Sequence, residues 1–292
     1  MLCHIKEIVN PAKQNHYAIG AFNTANLEIT LAIARAAVNS QSPVIIQVSE
    51  KTIAYAGLKP ITHIVETVAK NEANHVPVAL HLDHGHSFKS VAECINAGFS
   101  SIHIDGSELA FDENIAITKE AVAYAHKKGV WAQGELGRIL GKEGMKNFKG
   151  SFDEMVDYLT DPEEAIEFVE KTGVDTLAVS VGTFHGNFVG KEKIYFEVLD
   201  KISKAIDVPL VLHGASGIPD DELQKAVEHG ISIVNIDTEL RIAFTEQLKK
   251  TMQQASDDMV DPRTVLSPSI TAVSEVVERK LKYLGSFNKC LS

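Results

Sequence analysis

The segment Leu80-His81-Leu82-Asp83-His84-Gly85-His86 decides how the rest of this chain is interpreted. It completes an apolar run over 78–82 that has the composition of a buried strand. The run ends in an acid, an imidazole and a glycine, so two chemically active side chains stand where the backbone turns into a loop. Alone, such a pair is typical of a solvated turn with an aspartate that caps a helix. Its repetition along the chain favours an active site.

Composition limits the classes of function. The chain has 292 residues, 45% of them hydrophobic, and a formal net charge of −11. Non-specific nucleic-acid binding needs a basic face, which this composition argues against. No stretch approaches the roughly 20 apolar residues of a membrane span, and the first residues carry no signal-peptide pattern. Cys3, Cys94 and Cys290 are far apart and odd in number, which indicates reduced thiols. We expect a soluble cytoplasmic protein without nucleic-acid or membrane partners.

Strand and helix periods alternate along the whole chain. Eight apolar runs, each followed by a helix or a helix-sized segment, are predicted at 17–22, 43–48, 78–82, 101–104, 130–134, 176–181, 209–212 and 232–236. Alternating units imply parallel strands, and eight of them fit a closed (β/α)8 TIM barrel. A doubly wound open sheet is the alternative, but the first turn lacks its glycine-rich fingerprint. We expect one catalytic domain over 1–292, with a short N-terminal helix (5–14) and an extra C-terminal helix (269–284).

The C-terminal ends of the strands carry the chemistry of barrel enzymes, so we consider the residues there together. Three of them are histidines, namely His84, His185 and His213, after strands three, six and seven. Three imidazoles are the ligands of a catalytic Zn²⁺ that keeps its fourth position open. Asp105 and Glu135 end strands four and five and could hold a second cation or orient the first metal's ligands. In isolation both carboxylates are equally plausible as helix caps.

Turns rich in small and polar residues follow the last two strands. They read His-Gly-Ala-Ser-Gly at 213–217 and Asn-Ile-Asp-Thr at 235–238. Glycines allow backbone N–H groups to approach an anion, and these two loops are the common phosphate position of the fold. The sequence therefore predicts a phosphorylated substrate beside a metal ion.

At these residues the chain strongly resembles the class II, metal-dependent ketose-bisphosphate aldolases, the family of the fructose- and tagatose-bisphosphate aldolases. The likeness covers nearly the whole chain. It is carried by Ala21-Phe22-Asn23, Gln47-Val48-Ser49-Glu50, Asp83-His84-Gly85, Ile104-Asp105-Gly106-Ser107, Gly134-Glu135-Leu136-Gly137, Gly182-Thr183-Phe184-His185-Gly186, the loop after His213, and Asn235-Ile236-Asp237-Thr238-Glu239-Leu240-Arg241.

The resemblance implies a metal centre. His84, His185 and His213 would hold the catalytic zinc, and Asp105 and Glu135 would form a second metal position. The zinc would polarise the ketone and stabilise the negative charge that develops when a proton is removed beside it.

The resemblance also implies the residues that move protons and bind substrate. Asp83 would protonate the aldehyde oxygen as the carbon–carbon bond forms, and Glu143 would remove the proton from dihydroxyacetone phosphate. Arg263, in an Asp-Pro-Arg segment, would reach the far phosphate from a neighbouring subunit. The expected substrate-binding residues are Asn23, Ser49, Gly186, Gly214, Ala215, Ser216, Asn235, Ile236, Asp237 and Thr238.

The implied reaction is the reversible cleavage of a ketose 1,6-bisphosphate into dihydroxyacetone phosphate and glyceraldehyde 3-phosphate, by a homodimer or homotetramer. Asp237 favours fructose 1,6-bisphosphate, since tagatose-type members often carry alanine there; tagatose 1,6-bisphosphate or another phosphorylated sugar is the alternative. The chain departs from the family pattern at Lys51, which replaces a usual glycine, at Phe184, which replaces a small residue, and around Glu143.

Other classes of function stay open at this point. Some aldolases use a lysine Schiff base, but we interpret Lys51, after strand two, as a solvated loop charge. A barrel metal hydrolase usually carries His-x-His on strand one, which 17–23 lacks. A phosphosugar-binding barrel without turnover is the third alternative, and the retained Asp83 and Glu143 argue against it.

Residue parity predicts a polar layer beneath the site. His81, His103 and Gln133 lie two positions before Asp83, Asp105 and Glu135, so they should point inward one layer deeper. Unpaired buried polar groups cost about 1–3 kcal/mol each. We therefore predict that this layer is hydrogen-bonded and supports the carboxylates above it, with simple core filling as the alternative.

Overall fold

Eight parallel strands close into a barrel. We describe the protein from a computed structural model, which covers residues 1–148, 155–188, 193–256 and 258–290, without the side chains of 142–148 and 187–188. The barrel strands are β1 (Ile19–Asn23), β2 (Val44–Ser49), β3 (Val78–Gly85), β4 (Ser101–Ile104), β5 (Trp131–Leu136), β7 (Thr176–Val179), β9 (Leu210–Leu212) and β10 (Ile231–Ile236). Around the barrel the order is β1-β10-β9-β7-β5-β4-β3-β2. The predicted TIM barrel is confirmed.

The helices alternate with these strands. They are α1 (Lys6–Gln14), α2 (Leu27–Asn39), α3 (Glu50–Ala56), α4 (Leu58–Asn71), α5 (Phe88–Asn96), α6 (Phe111–Lys127), α7 (Pro162–Thr172), α8 (Phe196–Ala205), α9 (Asp220–Glu228), α10 (Thr238–Gln254) and α11 (Pro262–Tyr283). Asp161 caps α7 by accepting hydrogen bonds from the backbone N–H groups of Glu163 and Glu164, with Pro162 in the first turn. None of the helices in the described ranges is both long and apolar enough to cross a bilayer.

The interior of the barrel is apolar at its N-terminal end and polar at its C-terminal end. Inward residues of six strands, such as Ile19 and Val211, form one buried cluster with Ile8, Val9 and Ala12 of α1. Helix α1, the predicted N-terminal helix, therefore closes the bottom of the barrel. The opposite end is left to polar side chains and forms the open mouth.

Three local expectations need correction, and one pair of strands was not expected. Strand β3 continues to Gly85 instead of stopping at Leu82. The segment after β2 is the helix α3, so Lys51 is exposed, as expected of a solvated charge, but lies in a helix and not in a loop. The long connection after β5 contains a strand, β6 (Gly141–Phe148), which pairs in parallel with β8 (His185–Phe188). Helix α11 begins at Pro262, seven residues before the predicted start, because Asp261 caps it and proline is tolerated in the first turn.

Candidate active site

Three imidazoles converge at the mouth of the barrel. The ring centres of His84 and His213 are 4.8 Å apart, those of His84 and His185 are 5.0 Å apart, and those of His185 and His213 are 5.9 Å apart. Imidazoles on one tetrahedral zinc, with Zn–N bonds of about 2.0–2.1 Å, have ring centres about 5 Å apart. The three histidines, which lie far apart in the sequence, thus have the separation that a shared cation requires.

A backbone irregularity brings consecutive residues of β3 into this site. His84 has φ +47°, a left-handed conformation that is uncommon for residues other than glycine. The pairing of β3 with β4 shifts register between Leu82 and Gly85, as in a β-bulge. In a regular strand Asp83 and His84 would point to opposite faces. The bulge allows both to face the mouth, where Asp83 Oδ1 lies 3.9 Å from His84 Nε2.

Two carboxylates flank the imidazoles and differ in their proton affinity. His84 Nδ1 lies 2.7 Å from Asp105 Oδ2. Burial opposes the charge on both partners. For His84 the nearby charge of Asp83, the hydrogen bond to Asp105 and the charge of Glu135 outweigh burial, so the pKa is raised well above its usual value. For Asp105 the hydrogen bond to His84 and the charge of His84 outweigh burial and lower the pKa. For Glu135, burial and then the nearby Asp105 charge raise the pKa to about 8. The site therefore holds protons where a cation could replace them.

His103 is a site residue whose direct role the sequence did not reveal. Its Nδ1 accepts a hydrogen bond from the backbone N–H of His84 (3.3 Å), and its Nε2 faces Glu135 Oε2 at 3.5 Å. Neither of these two facing atoms makes a hydrogen bond to a described residue, although both are buried. Donor atoms of His84, His103, Asp105 and Glu135 all lie within 4.8 Å of one another, so these four could hold a cation.

A second group of donors shares two of those histidines. Asp83, His84, His103 and His213 also place one donor atom each within 4.8 Å of one another. Among the described residues, His185 contributes to neither group, although its ring is adjacent. The only earlier signal for His103 was its parity on β4, which predicted an inward position but a supporting role.

Asp83 is held in place by amides. Asn23 Nδ2 donates to Asp83 Oδ2 at 2.7 Å, and Asn235 Nδ2 lies 3.4 Å from Asp83 Oδ1. Gln47 Nε2 in turn donates to Asn23 Oδ1 at 2.6 Å. All four side chains are buried, so this chain of bonds fixes the carboxylate in one orientation. Gln47 was quoted in the sequence only as part of a longer motif and was not assigned a role.

The predicted polar layer is present but supports different partners. His81, His103 and Gln133 are all buried. Gln133 Nε2 lies 3.0 Å from His213 Nε2, so it positions an imidazole and not a carboxylate. Among the described residues, His81 bonds only to Ser101, whose Oγ lies 2.9 Å from His81 Nδ1. Burial lowers the pKa of His81 to about 3. Hydrogen bonding of the layer is confirmed. Its expected support of the carboxylates is not seen among these bonds, since His103 only approaches Glu135 at 3.5 Å without a hydrogen bond.

Loops seven and eight line a small cavity beside the imidazoles. Gly214 has φ +68°, and a side chain there would lie 2.5 Å from the carbonyl oxygen of Phe184. Ser216 Oγ accepts a hydrogen bond from the backbone N–H of Glu239 in the first turn of α10 (3.2 Å). The helix N-terminus and the glycine-bearing loop together suit an anion. The cavity is lined by Asn23, Gln47, Asp83, His84, His185, Gly186, His213, Gly214, Ala215, Ser216, Asn235, Asp237 and Thr238.

A second, larger cavity lies on the other side of the histidines. Its empty volume is about 1540 Å³, against about 290 Å³ for the first. His84 and His185 line both cavities, so a molecule that bridges them passes these two residues. The second cavity is lined by Ser49, Glu50, Lys51, His84, His86, Asp105, Ser107, Glu108, Leu109, Ile117, Glu135, Arg138, Ile139, Gly141 and His185.

Five of the predicted site residues with described side chains lie outside the lining of the first cavity, and two of them, Asp105 and Glu135, line the second. Ser49 also lines the second cavity and caps α3. Ile236 is buried in β10 and lines neither cavity. Arg263 is exposed at the start of α11, where its guanidinium bonds to Asp261 (2.8 Å). The side chain of Glu143 lies outside the described residues, on β6.

A parallel barrel whose mouth joins an imidazole–carboxylate cluster to a loop suited to an anion is typical of metal-assisted enzymes that act on phosphorylated small molecules. Comparison with known proteins specifies the class. The family described as class-II fructose-bisphosphate aldolase matches residues 3–289. The fructose-bisphosphate aldolase of Staphylococcus aureus (strain Mu50) is 40% identical over 291 residues, 99% of each chain.

Two further comparisons also find aldolases. The 6-phospho-5-dehydro-2-deoxy-D-gluconate aldolase of Bacillus subtilis (strain 168) is 41% identical over 288 residues, 98% of this chain and 96% of the other. The crystal structure of the YdjI aldolase from Escherichia coli K12 superposes with a TM-score of 0.86 at 34% identity and covers 100% of both chains. The chain belongs to the class-II fructose-bisphosphate aldolase family, whose members are metal-dependent lyases.

Proposed function

We propose that the protein is a zinc-dependent aldolase that cleaves fructose 1,6-bisphosphate reversibly into dihydroxyacetone phosphate and glyceraldehyde 3-phosphate. The observation that carries the proposal is the convergence of His84, His185 and His213 between an anion-binding loop and a larger cavity. Family membership and 40% identity to a fructose-bisphosphate aldolase support it. We further propose that it works in the cytoplasm as a homo-oligomer.

The residues present fit a divalent cation. His84, His185 and His213 would hold the zinc, and Asp105 and Glu135, with His103, would hold or exchange a second cation. The unbonded, buried atoms His103 Nε2 and Glu135 Oε2 support a cation position between these groups. When bound, the cation supplies positive charge beside the substrate ketone, which lowers the cost of removing the neighbouring proton.

The remaining steps are assigned to the chain's own groups. The loop 214–216, Gly186 and the start of α10 would bind the phosphate of the triose, with Asn235, Asp237 and Thr238 around it. Asp83, fixed by Asn23 and Asn235, would give its proton to the aldehyde oxygen during bond formation and take it back during cleavage. Glu143 would exchange the proton of the triose phosphate carbon, a role carried over from the resemblance alone.

Metal removal tests the proposal. The protein is treated with EDTA, dialysed, and assayed for triose phosphate release from fructose 1,6-bisphosphate and tagatose 1,6-bisphosphate side by side, before and after Zn²⁺ is restored. We expect turnover to fall by at least about a hundredfold without metal and to return with it. A hydrolase would release inorganic phosphate and no triose, and a binding protein would release neither. Triose release that persists after chelation would contradict the proposal.

A second candidate substrate is a phosphorylated keto acid. The relative from Bacillus subtilis is as similar in sequence as the fructose-bisphosphate aldolases are, and its name specifies a phosphorylated gluconate derivative. Such a compound carries a carboxylate at the end opposite its phosphate. The triose phosphate release assay, run with 6-phospho-5-dehydro-2-deoxy-D-gluconate as well, distinguishes the two substrates by their kcat/KM values.

A further inference from the structure

The larger cavity contains a lysine, Lys51, that no carboxylate of the described residues neutralises. Lys51 lies in the first turn of α3 and lines this cavity with two cation ligand candidates, His84 and His185. Within the described residues it forms no ion pair or hydrogen bond. The adjacent carboxylate of Glu50 instead accepts the backbone N–H of His86 at 3.0 Å. The helix dipole favours acidic residues at a helix N-terminus, so a lysine there is not stabilised by its own helix. Helix α3 therefore does not explain why a lysine stands at position 51.

The other long cation of the cavity is already paired. Arg138 donates to Glu108 at 2.7 Å, and its guanidinium lies 5.7 Å from the ring centre of Tyr158. The remaining charges of the lining are predominantly acidic, from Glu50, Glu108 and the metal-site carboxylates. Apart from the proposed cation site, Lys51 is therefore the cationic side chain of the lining that the described residues leave available to an anion.

The position of this cavity indicates which part of a substrate it receives. The smaller cavity has the anion-binding loop, and the two cavities meet at His84 and His185. A ketose whose phosphate occupies the loop and whose reacting carbons lie beside these histidines extends its other half into the larger cavity. That half leaves as the aldehyde product.

We propose that Lys51 determines specificity by binding the terminal anion, phosphate or carboxylate, of the aldehyde half of the substrate. The ammonium group offers three donors to such an anion. The inference rests on the proposed aldolase function, because it assigns the two cavities to the two products. Neutral aldehydes lack the group that Lys51 recognises and enter the same cavity without its help.

The test compares aldehydes in the direction of bond formation. Zinc-loaded wild type and Lys51→Met are assayed with dihydroxyacetone phosphate and one of three aldehydes: glyceraldehyde 3-phosphate, malonate semialdehyde or neutral D-glyceraldehyde. We expect the KM of Lys51→Met for the anionic aldehyde that the wild type prefers to rise about tenfold or more. The KM values for D-glyceraldehyde and dihydroxyacetone phosphate should change less than about twofold. The preferred anion identifies phosphate or carboxylate as the ligand.

Controls make the outcome specific. Lys59→Met removes the same charge from an exposed position on α4 outside both cavities and should leave all KM values unchanged. Lys51→Arg should retain most of the preference for anions. Equal KM changes for anionic and neutral aldehydes, no change at all, or a wild type without preference for an anionic aldehyde would overturn the assignment.

A separate measurement distinguishes this failure from failure of the proposed function. Metal-dependent exchange of the dihydroxyacetone phosphate carbon-bound proton with deuterated solvent needs no aldehyde. Exchange in both wild type and Lys51→Met, together with no effect on anionic aldehydes, overturns the role of Lys51 alone. Absence of exchange in the wild type overturns the aldolase function and this inference with it.

Discussion

At the scale of single residues, the site depends on side chains that keep others in position. Gln133 lies one layer below the mouth and contacts His213 Nε2, while His213 Nδ1 lies 3.1 Å from His84 Nε2. For Nδ1 to bind a cation, Nε2 must carry the proton and donate it. The amide of Gln133 can accept this hydrogen bond through its oxygen, which fixes the tautomer and the ring plane.

We therefore expect Gln133→Met to weaken zinc affinity by about 10–100-fold, the usual effect of removing a partner of a metal-bound histidine. Competition with a chromogenic chelator measures this affinity directly, independently of turnover. Gln253→Met, on the exposed end of α10, is the matched control and should bind zinc like the wild type. Unchanged affinity in Gln133→Met would show that His213 does not depend on this amide.

The same scale shows what the sequence could and could not predict about the site. His84, His185 and His213 could be grouped because each follows a predicted strand, and strand ends of a barrel meet. The left-handed backbone of His84 could not be predicted, since His is compatible with regular strands and the bulge arises from pairing with β4. The contact of His103 with Glu135 could not be predicted either, because residue parity predicts which face of a strand a side chain occupies but not which residue it contacts.

At the scale of elements, a buried charge attaches α11 to the end of the barrel that carries the loop 214–216. Lys280 has a side chain only 2% exposed, and its Nζ lies 2.9 Å from Asp220 and 3.0 Å from Glu239. These acids begin α9 and lie in the first turn of α10, and Arg279 pairs with both. The backbone of Glu239 bonds to Ser216 in the anion-binding loop, so the cluster joins the C-terminal helix to that loop.

Removing the buried cation should therefore destabilise the fold. Breaking a buried ion pair from one side costs about 3–5 kcal/mol when the partner charge stays buried without compensation. Here the partner acids are partly exposed, with side chains 22% and 21% exposed. We expect Lys280→Met to lower the free energy of unfolding by about 3 kcal/mol, the smaller value, since Arg279 still faces both acids. Urea unfolding followed by circular dichroism measures the loss. Lys282→Met, on the exposed face of α11, should stay within about 0.5 kcal/mol of wild type.

The elements also show why some parts of the fold were predictable and others were not. The eight strands could be predicted because each is a continuous apolar run between helical periods. Helix α3 was missed because seven residues directly after Ser49 leave no room for a separate period. The pairing of β6 with β8 was missed because it joins two loops, with Gly141 packed against the backbone of His185, and loops carry no strand pattern.

At the scale of the whole molecule, neutral imidazoles inside the barrel make stability depend on pH. Burial lowers the pKa of His81 in the folded state to about 3, below its ordinary value of 6.5. Between these values the unfolded chain binds a proton on this residue and the folded chain does not. Acid therefore favours unfolding: stability is complete above about pH 6.5 and falls as pH decreases towards 3.

His81→Gln removes this titration and can still bond to Ser101. We expect the metal-free variant to take up about one proton fewer on unfolding between pH 4 and 6, which reduces the pH slope of the unfolding free energy by about 1.4 kcal/mol per unit. Urea unfolding of both proteins at several pH values measures the two slopes. Parallel slopes would mean that His81 is protonated in the folded barrel or does not titrate separately.

Variants of Arg263 test whether one subunit contributes a residue to the active site of another. This side chain is 88% exposed and lines neither cavity of its own subunit, so a role in substrate binding requires that it reach another copy of the chain. Arg263→Ala should then raise the KM for the bisphosphate substrate about tenfold without affecting stability, because no buried contact is lost. Steady-state kinetics and urea unfolding of the same preparation check both statements.

Mixing variants distinguishes action between subunits from action within one. Asp83→Asn lacks the proton-transferring acid but retains Arg263, whereas Arg263→Ala retains Asp83. In a hybrid oligomer, the intact Asp83 site receives Arg263 from its neighbour and should regain the wild-type KM, while the Asp83→Asn site stays inactive. The unmixed variants show no such recovery. A mixture that keeps the raised KM of Arg263→Ala would contradict transfer of this arginine across a subunit interface and leave the far anion to groups within one barrel, such as Lys51.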